Sequence, residues 1–156
     1  MLKQKKIIYT DGGSRGNPGP AGVGVFITDE KGNKMNGFSK AIGTRTNNEA
    51  EYEAVILALQ KVKHLYGKDK VKNFEIEFRL DSQLIARQLG GKYKMEAEHL
   101  WPLFMKIWNL RVELGLSGEK MKFVEIPREK NKEADALANE AMDEAMGIKK
   151  GTKGLF

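Results

Sequence analysis

Tyr9-Thr10-Asp11-Gly12-Gly13-Ser14, preceded by Ile7-Ile8, reads as the end of a short buried strand running into a glycine-rich turn over residues 12–19. Gly22-Val23-Gly24-Val25-Phe26-Ile27 follows as a second strand, and residues 35–42 as a third, after the hairpin-type turn Lys31-Gly32-Asn33. Three strands joined by such short turns predict an antiparallel meander. Beyond it the period changes. Val55, Ala58, Leu59, Val62 and Leu65 fall on one stripe of a helix over 46–66. Phe74, Ile76, Phe78 and Leu80 then alternate with Glu75, Glu77 and Arg79, a strand with one polar face.

A short helix over 82–89 closed by Gly90-Gly91, a longer helix over 97–114, a strand over 121–126 stopped by Pro127 and a last helix over 131–146 complete the pattern. In the longer helix Leu100, Leu103, Phe104, Ile107, Trp108 and Leu110 are expected inward, with Trp101 and Trp108 sharing a core face. The order βββαβααβα is α/β, with helices covering a mixed five-stranded sheet. No repeat or linker divides the chain, which predicts one domain over 1–146 and a flexible basic tail over 147–156.

The chain has 156 residues and a net charge of +6, which favours an anionic partner, nucleic acid first. It contains no cysteine, which excludes disulfides and thiolate metal sites and fits a reducing cytoplasm. No apolar run approaches the roughly 18 residues of a membrane-spanning helix. The N-terminal Met1-Leu2-Lys3-Gln4-Lys5-Lys6 lacks a signal-peptide core, so the expected location is cytoplasmic, without membrane contact.

Four carboxylates in this basic chain invite one reading: Asp11, Glu51, Asp81 and Asp135. Asp11 and Asp81 each follow an apolar strand, and strand ends in open α/β sheets are where binding crevices form. At about 100° per residue, Glu51 lies roughly 40° from Val55 and 20° from Val62, on the apolar stripe, while Glu49 and Glu53 project towards water. The same wheel puts Asp135 within the wide face of Ala134, Ala138, Met142 and Ala145. A carboxylate on a buried stripe needs compensation, and a bound cation supplies it. Any one of these acids alone is better read as a helix cap or surface group, as are Asn131 and Asp135 near a helix start. Four together reverse that. Oxygen ligands without soft donors suit Mg²⁺ or Mn²⁺. Two such ions about 3.5–4 Å apart suit phosphodiester hydrolysis, where one water attacks and one oxygen leaves.

Other features are less specific. The loop from Gly12 through Asn17 to Pro20 can cradle a phosphate through backbone N–H groups, although it is neither a Walker A motif nor GxGxxG. Thr46-Asn47-Asn48 can cap the helix that follows, or its amides can bond 2′-hydroxyls and base edges. His64 and His99 read as surface or packing residues. Lys92-Tyr93-Lys94 interleaves cations with an aromatic, as backbone-tracking grooves do.

Tyr-Thr-Asp-Gly-Gly with Gly-Asn-Pro-Gly, Thr-Asn-Asn-x-x-Glu, Asp-Ser-Gln and Asn-x-x-x-Asp-x-Leu-Ala occur in order, and with them the chain closely resembles type 1 ribonuclease H over about residues 5–146. The resemblance implies a ribonuclease H-like fold and endonucleolytic cleavage of the RNA strand of RNA/DNA hybrids. It implies 5′-phosphate and 3′-hydroxyl products, with two Mg²⁺ or Mn²⁺ per site. The family's metal-binding acids map onto Asp11, Glu51, Asp81 and Asp135, its RNA-contacting positions onto Asn17, Asn48 and Gln83, and its phosphate pocket onto Thr46 with Asn17. Two departures stand out. Residues 90–97 are too few for the basic handle of many bacterial members, and residues 125–130 lack the histidine many members carry before the last aspartate. Both features are those of the handle-less branch in archaea and some bacteria, some of which also cut double-stranded RNA. A monomer is expected. The competing expectations are a non-cleaving nucleic-acid-binding module on the same fold, which would not need the full acid set, and a nuclease domain detached from a reverse transcriptase.

Overall fold

A computed structural model describes residues 4–148 of the chain. β1 (Gln4–Ser14), β2 (Gly19–Asp29) and β3 (Lys34–Arg45) form the antiparallel meander. β4 (Phe74–Leu80) joins β1 in parallel and β5 (Met121–Glu125) joins β4 in parallel, giving the order β3-β2-β1-β4-β5. The chain is thus α/β with a mixed five-stranded sheet, as its periodicity predicts. The helices are α1 (Asn47–Tyr66), α2 (Lys68–Val71), α3 (Gln83–Leu89), α4 (Trp101–Glu113) and α5 (Lys132–Ala145). The short α2 follows a left-handed Gly67 and was not expected from the sequence.

α1 starts at a capping box. Thr46 Oγ1 accepts from Glu49 N–H at 3.1 Å, and the Glu49 carboxylate accepts from Thr46 N–H at 2.9 Å. Glu49 is therefore half-buried in a cap and does not simply point to water, as the helical wheel alone indicated. Val55, Ala58, Leu59 and Val62 are fully buried, and with Ile8, Val23, Val25, Phe78 and Leu80 they form the core between α1 and the sheet. Leu65 ends the expected stripe but is 39% exposed.

On the opposite face α5 lies against β2 with almost no space between backbones. A Cβ at Gly24 would sit 2.2 Å from the Ala134 carbonyl oxygen, and one at Gly22 would sit 2.6 Å from Ala141 Cβ. Ala134, Ala138, Ala141 and Met142 make the buried side of α5, so Ala141 takes the place expected for Ala145, which is exposed.

Three expectations are corrected. Asp11 does not end its strand, because β1 keeps pairing with β2 as far as Ser14↔Ala21. The helix expected over 97–114 is interrupted: a 3₁₀ turn, Glu98–Leu100, precedes α4, whose first turn holds Pro102. Trp101 and Trp108 do share a face, but it is the outer one, 47% and 49% exposed. The helix carries more apolar side chains than one face can bury, and Ile107 with the partly buried Leu103 and Leu110 occupies the inner face. Of the tail expected over 147–156, residues 149–156 lie outside the described residues. Among the described residues no helix is long and apolar enough to cross a membrane.

The contact at Gly24 predicts a steep cost for one methyl group. Gly24→Ala should destabilise by about 2–4 kcal/mol in urea unfolding, because the carbonyl it meets belongs to helix backbone. Gly37→Ala, whose Cβ would meet nothing closer than 3.5 Å, should change stability by less than about 1 kcal/mol.

Candidate active site

The parallel pairing of β1 with β4 stops at Tyr9↔Arg79. Two residues further on, Asp11 and Asp81 face each other across the opening, at the kind of strand divergence where α/β sheets form crevices. Glu51 arrives from α1. It can do so because Gly12 has no side chain: a Cβ there would lie 2.2 Å from the Ala50 carbonyl oxygen and 2.7 Å from the Glu51 nitrogen. Asp11, Glu51 and Asp81 each offer a carboxylate oxygen within 4.8 Å of the others. Asp135, in the first turn of α5, hydrogen-bonds the Asp11 carboxyl. An open cleft of about 380 Å³ is lined by Asp11, Glu51 and Asp135 together with Arg15, Asn47 and Arg128.

The clustering raises the proton affinity of two acids. Burial, then the Asp81 carboxylate, then the hydrogen bond with Asp135 push Asp11 up to about 8, against the opposing Gly12 N–H. Burial, then Asp11 and Asp81, hold Glu51 well above the usual carboxylate range, and Arg128 offsets this in part. Glu51 Oε2 is buried without a hydrogen-bond partner. Two carboxyl groups hydrogen-bond only through a shared proton, a role that a cation also fills. Three converging carboxylates and an orphaned buried carboxylate oxygen fit a hard divalent cation.

Of the residues expected to meet substrate, Gly12, Asn17, Thr46 and Asn48 lie around the start of α1, and Gln83 starts α3. Gly12 lies within β1 and not in the loop, so its part is to let α1 approach, and its N–H serves Asp11. The connection itself is short. Asn17 Oδ1 accepts from Asn47 N–H at 3.0 Å, and Asn47 Oδ1 accepts from Ser14 N–H at 2.9 Å. Thr46 is both cap and neighbour of this network. Asn48 and Gln83 do not line the cleft; they begin α1 and α3, the helices that follow Thr46 and Asp81. His64 and His99 are exposed. Among the described residues, no histidine lines the cleft.

Asn131 is the residue whose role the sequence reading mistook. Its side chain does not cap α5; it is fully buried and donates to the Thr10 carbonyl at 3.0 Å, tying the helix of Asp135 to the strand of Asp11. Arg15 carries no local signal of its role, and Asn47 reads from sequence only as part of the Thr46-Asn47-Asn48 stretch. Their hydrogen bonds join segments distant in sequence, which local patterns do not register.

A family model described as "Reverse transcriptase-like" matches residues 9–141. The chain is 40% identical over 138 residues to Ribonuclease HI of Halobacterium salinarum, covering 88% of this chain and 64% of that protein. It is 31% identical to Ribonuclease H of Polaromonas naphthalenivorans, covering 92% of this chain and 91% of that protein. The crystal structure of LC11-RNase H1 in complex with RNA/DNA hybrid superposes with a TM-score of 0.83 at 51% identity, covering 90% of this chain and 99% of that one. The chain spans 64% of the length of the first of these curated relatives and 36% of the mycobacterial proteins it also matches. The span matched by the family model runs from Tyr9 in β1 to Ala141 in α5 and takes in all four acids. On these grounds the chain belongs to the type 1 ribonuclease H family.

Proposed function

We propose that this chain is an endoribonuclease that hydrolyses the RNA strand of RNA/DNA hybrids, leaving 5′-phosphate and 3′-hydroxyl ends. Asp11, Glu51, Asp81 and Asp135 would hold Mg²⁺ or Mn²⁺. The observation that carries this reading is the convergence of Asp11, Glu51 and Asp81 within 4.8 Å, beside a cleft that also takes in Asp135. When bound, such ions would supply Lewis acidity, which would make a water nucleophilic at neutral pH and offset charge on the leaving 3′ oxygen.

The chain's own groups do the rest. The four carboxylates stay ionised once positive charge lies among them, and their mutual repulsion then becomes attraction for the ions. Arg128, beside Glu51, lies in the 125–130 stretch that lacks the family's histidine; its guanidinium can grip the new 5′-phosphate but cannot carry a proton at neutral pH. The amides of Asn17, Asn48 and Gln83 and the hydroxyl of Thr46 are uncharged donors and acceptors suited to 2′-hydroxyls and phosphate oxygens. The 2′-hydroxyl is what distinguishes the RNA strand from its DNA partner. All four acids come from one chain, so a monomer suffices.

A gel assay with labelled hybrid, double-stranded RNA, single-stranded RNA and double-stranded DNA, with Mg²⁺ or EDTA, tests the reading. Hybrid should be cut only with the metal. Cleavage that survives EDTA, or hybrid left intact at high enzyme, would contradict it. Asp81→Asn should lose at least about a hundred-fold in rate while hybrid affinity stays within a few-fold, since an amide keeps size but not charge. Glu51→Gln should inactivate likewise. Glu49→Gln should remain active, because a glutamine oxygen can still accept from Thr46 N–H in the cap.

The raised acids also make a stability prediction for metal-free protein. A group that holds its proton more tightly when folded stabilises the fold fully below its unfolded value, near 4 for these acids. That contribution is lost as pH rises, for Asp11 through about 8. In EDTA, Glu51→Gln should therefore melt above wild type by a margin that grows from about pH 5 to pH 8. A constant margin would show that Glu51 is not under strain from its neighbours.

A further inference from the structure

The β1–β2 connection is pinned on one side only by the start of α1. Its other tether is Arg15, whose Nη1 donates to Asp143 Oδ1 at 2.5 Å and whose Nη2 donates to Asn139 Oδ1 at 3.2 Å, both on α5. Asn139 lies one turn beyond Asp135, and its Nδ2 donates to the Asp135 carbonyl at 3.0 Å. A guanidinium shared between two fixed acceptors is a rigid fork, which a lysine cannot reproduce. Which partner is being held follows from packing. α5 rests on Gly22 and Gly24 with no room to shift and is tied to β1 by the buried Asn131. The segment from Gly16 to Pro18 is exposed, and its tie to α1 runs through Asn17 itself. α5 is the anchor, and the loop is what Arg15 holds in place.

We propose that Arg15 is a positioning residue: it braces the Asn17-bearing loop against α5, so that the loop meets the RNA strand already in its binding conformation. This rests on the hybrid-cleaving reading above and deepens it, because it places part of substrate affinity in a residue that does not touch substrate. Ordering a loop on binding weakens binding, whereas a pre-braced loop avoids that cost. The acids Asp11, Glu51 and Asp81 do not depend on the brace, so the rate of the bound complex should be spared.

Arg15→Ala should raise KM for hybrid about five- to ten-fold and leave kcat within about two-fold, with Arg15→Lys falling between. Asp143→Ala, which removes the charged one of the two acceptors but keeps the guanidinium, should raise KM towards the Arg15→Ala value. The slope of log affinity against log salt should be unchanged in both, whereas loss of a direct phosphate contact would reduce it by about 1. A normal or lowered KM in Asp143→Ala, or a reduced slope in Arg15→Ala, would mean that Arg15 contacts the phosphate itself, and the brace would be wrong. A lower melting temperature in Arg15→Ala with KM unchanged would overturn it too. Amide exchange over residues 14–19 gives a readout that needs no substrate. It should quicken in both variants while α5 stays protected, and unaltered exchange would refute the brace even if wild-type protein proved not to cut hybrid.

Discussion

Everything in this molecule depends on how closely two helices can approach the first hairpin of the sheet. On one face Gly12 admits the backbone of α1 at Ala50; on the other Gly22 and Gly24 admit α5 at Ala134 and Ala138. Residues with side chains at these places would hold the helices further from the sheet. The acids on them, Glu51 and Asp135, would then stand away from Asp11 and Asp81. The glycines thus act by what they lack, and the site is a consequence of backbone packing before it is a matter of side-chain chemistry.

The second constraint is electrostatic and opposes the first. Burying carboxylates, and bringing them together, at the mouth of a sheet raises the proton affinity of Asp11 and Glu51, and Glu51 Oε2 is left without a partner. A protein gains nothing in stability from such an arrangement, so it points to function. The same repulsion favours a cation of high charge over the proton, and the oxygen-only donor set narrows which cation. Excess positive charge elsewhere on the chain attracts a polyanion to a site that would otherwise repel it.

Much of this was legible in the sequence, and for physical reasons. Periods of two and 3.6 located the five strands and the main helices, and β4 matched residue for residue over 74–80. The wheel placed Glu51 on the buried stripe of α1 and Asp135 on the apolar face of α5, and their positions after apolar strands picked out Asp11 and Asp81. What was not legible required knowledge of partners distant in the chain. Asp11 looked like a strand end because its parallel neighbour stops at Tyr9↔Arg79, yet its antiparallel neighbour continues. Trp101 and Trp108 looked like core because aromatic side chains usually are; only the packing of α4 against α1 decides which of its two apolar faces is inside. Asn131 looked like a cap because caps are local, whereas its real partner, the Thr10 carbonyl, is 121 residues away.

On this reading Asp11, Glu51, Asp81 and Asp135 form one divalent-cation site built across β1, α1, the end of β4 and α5. Anomalous diffraction from crystals soaked in Mn²⁺ tests it most directly. A peak is expected among the Asp11, Glu51 and Asp81 carboxylates, with Asp135 turned towards the same position or a second one beside it. Manganese that binds elsewhere, or no peak among these four side chains at millimolar metal, would contradict it.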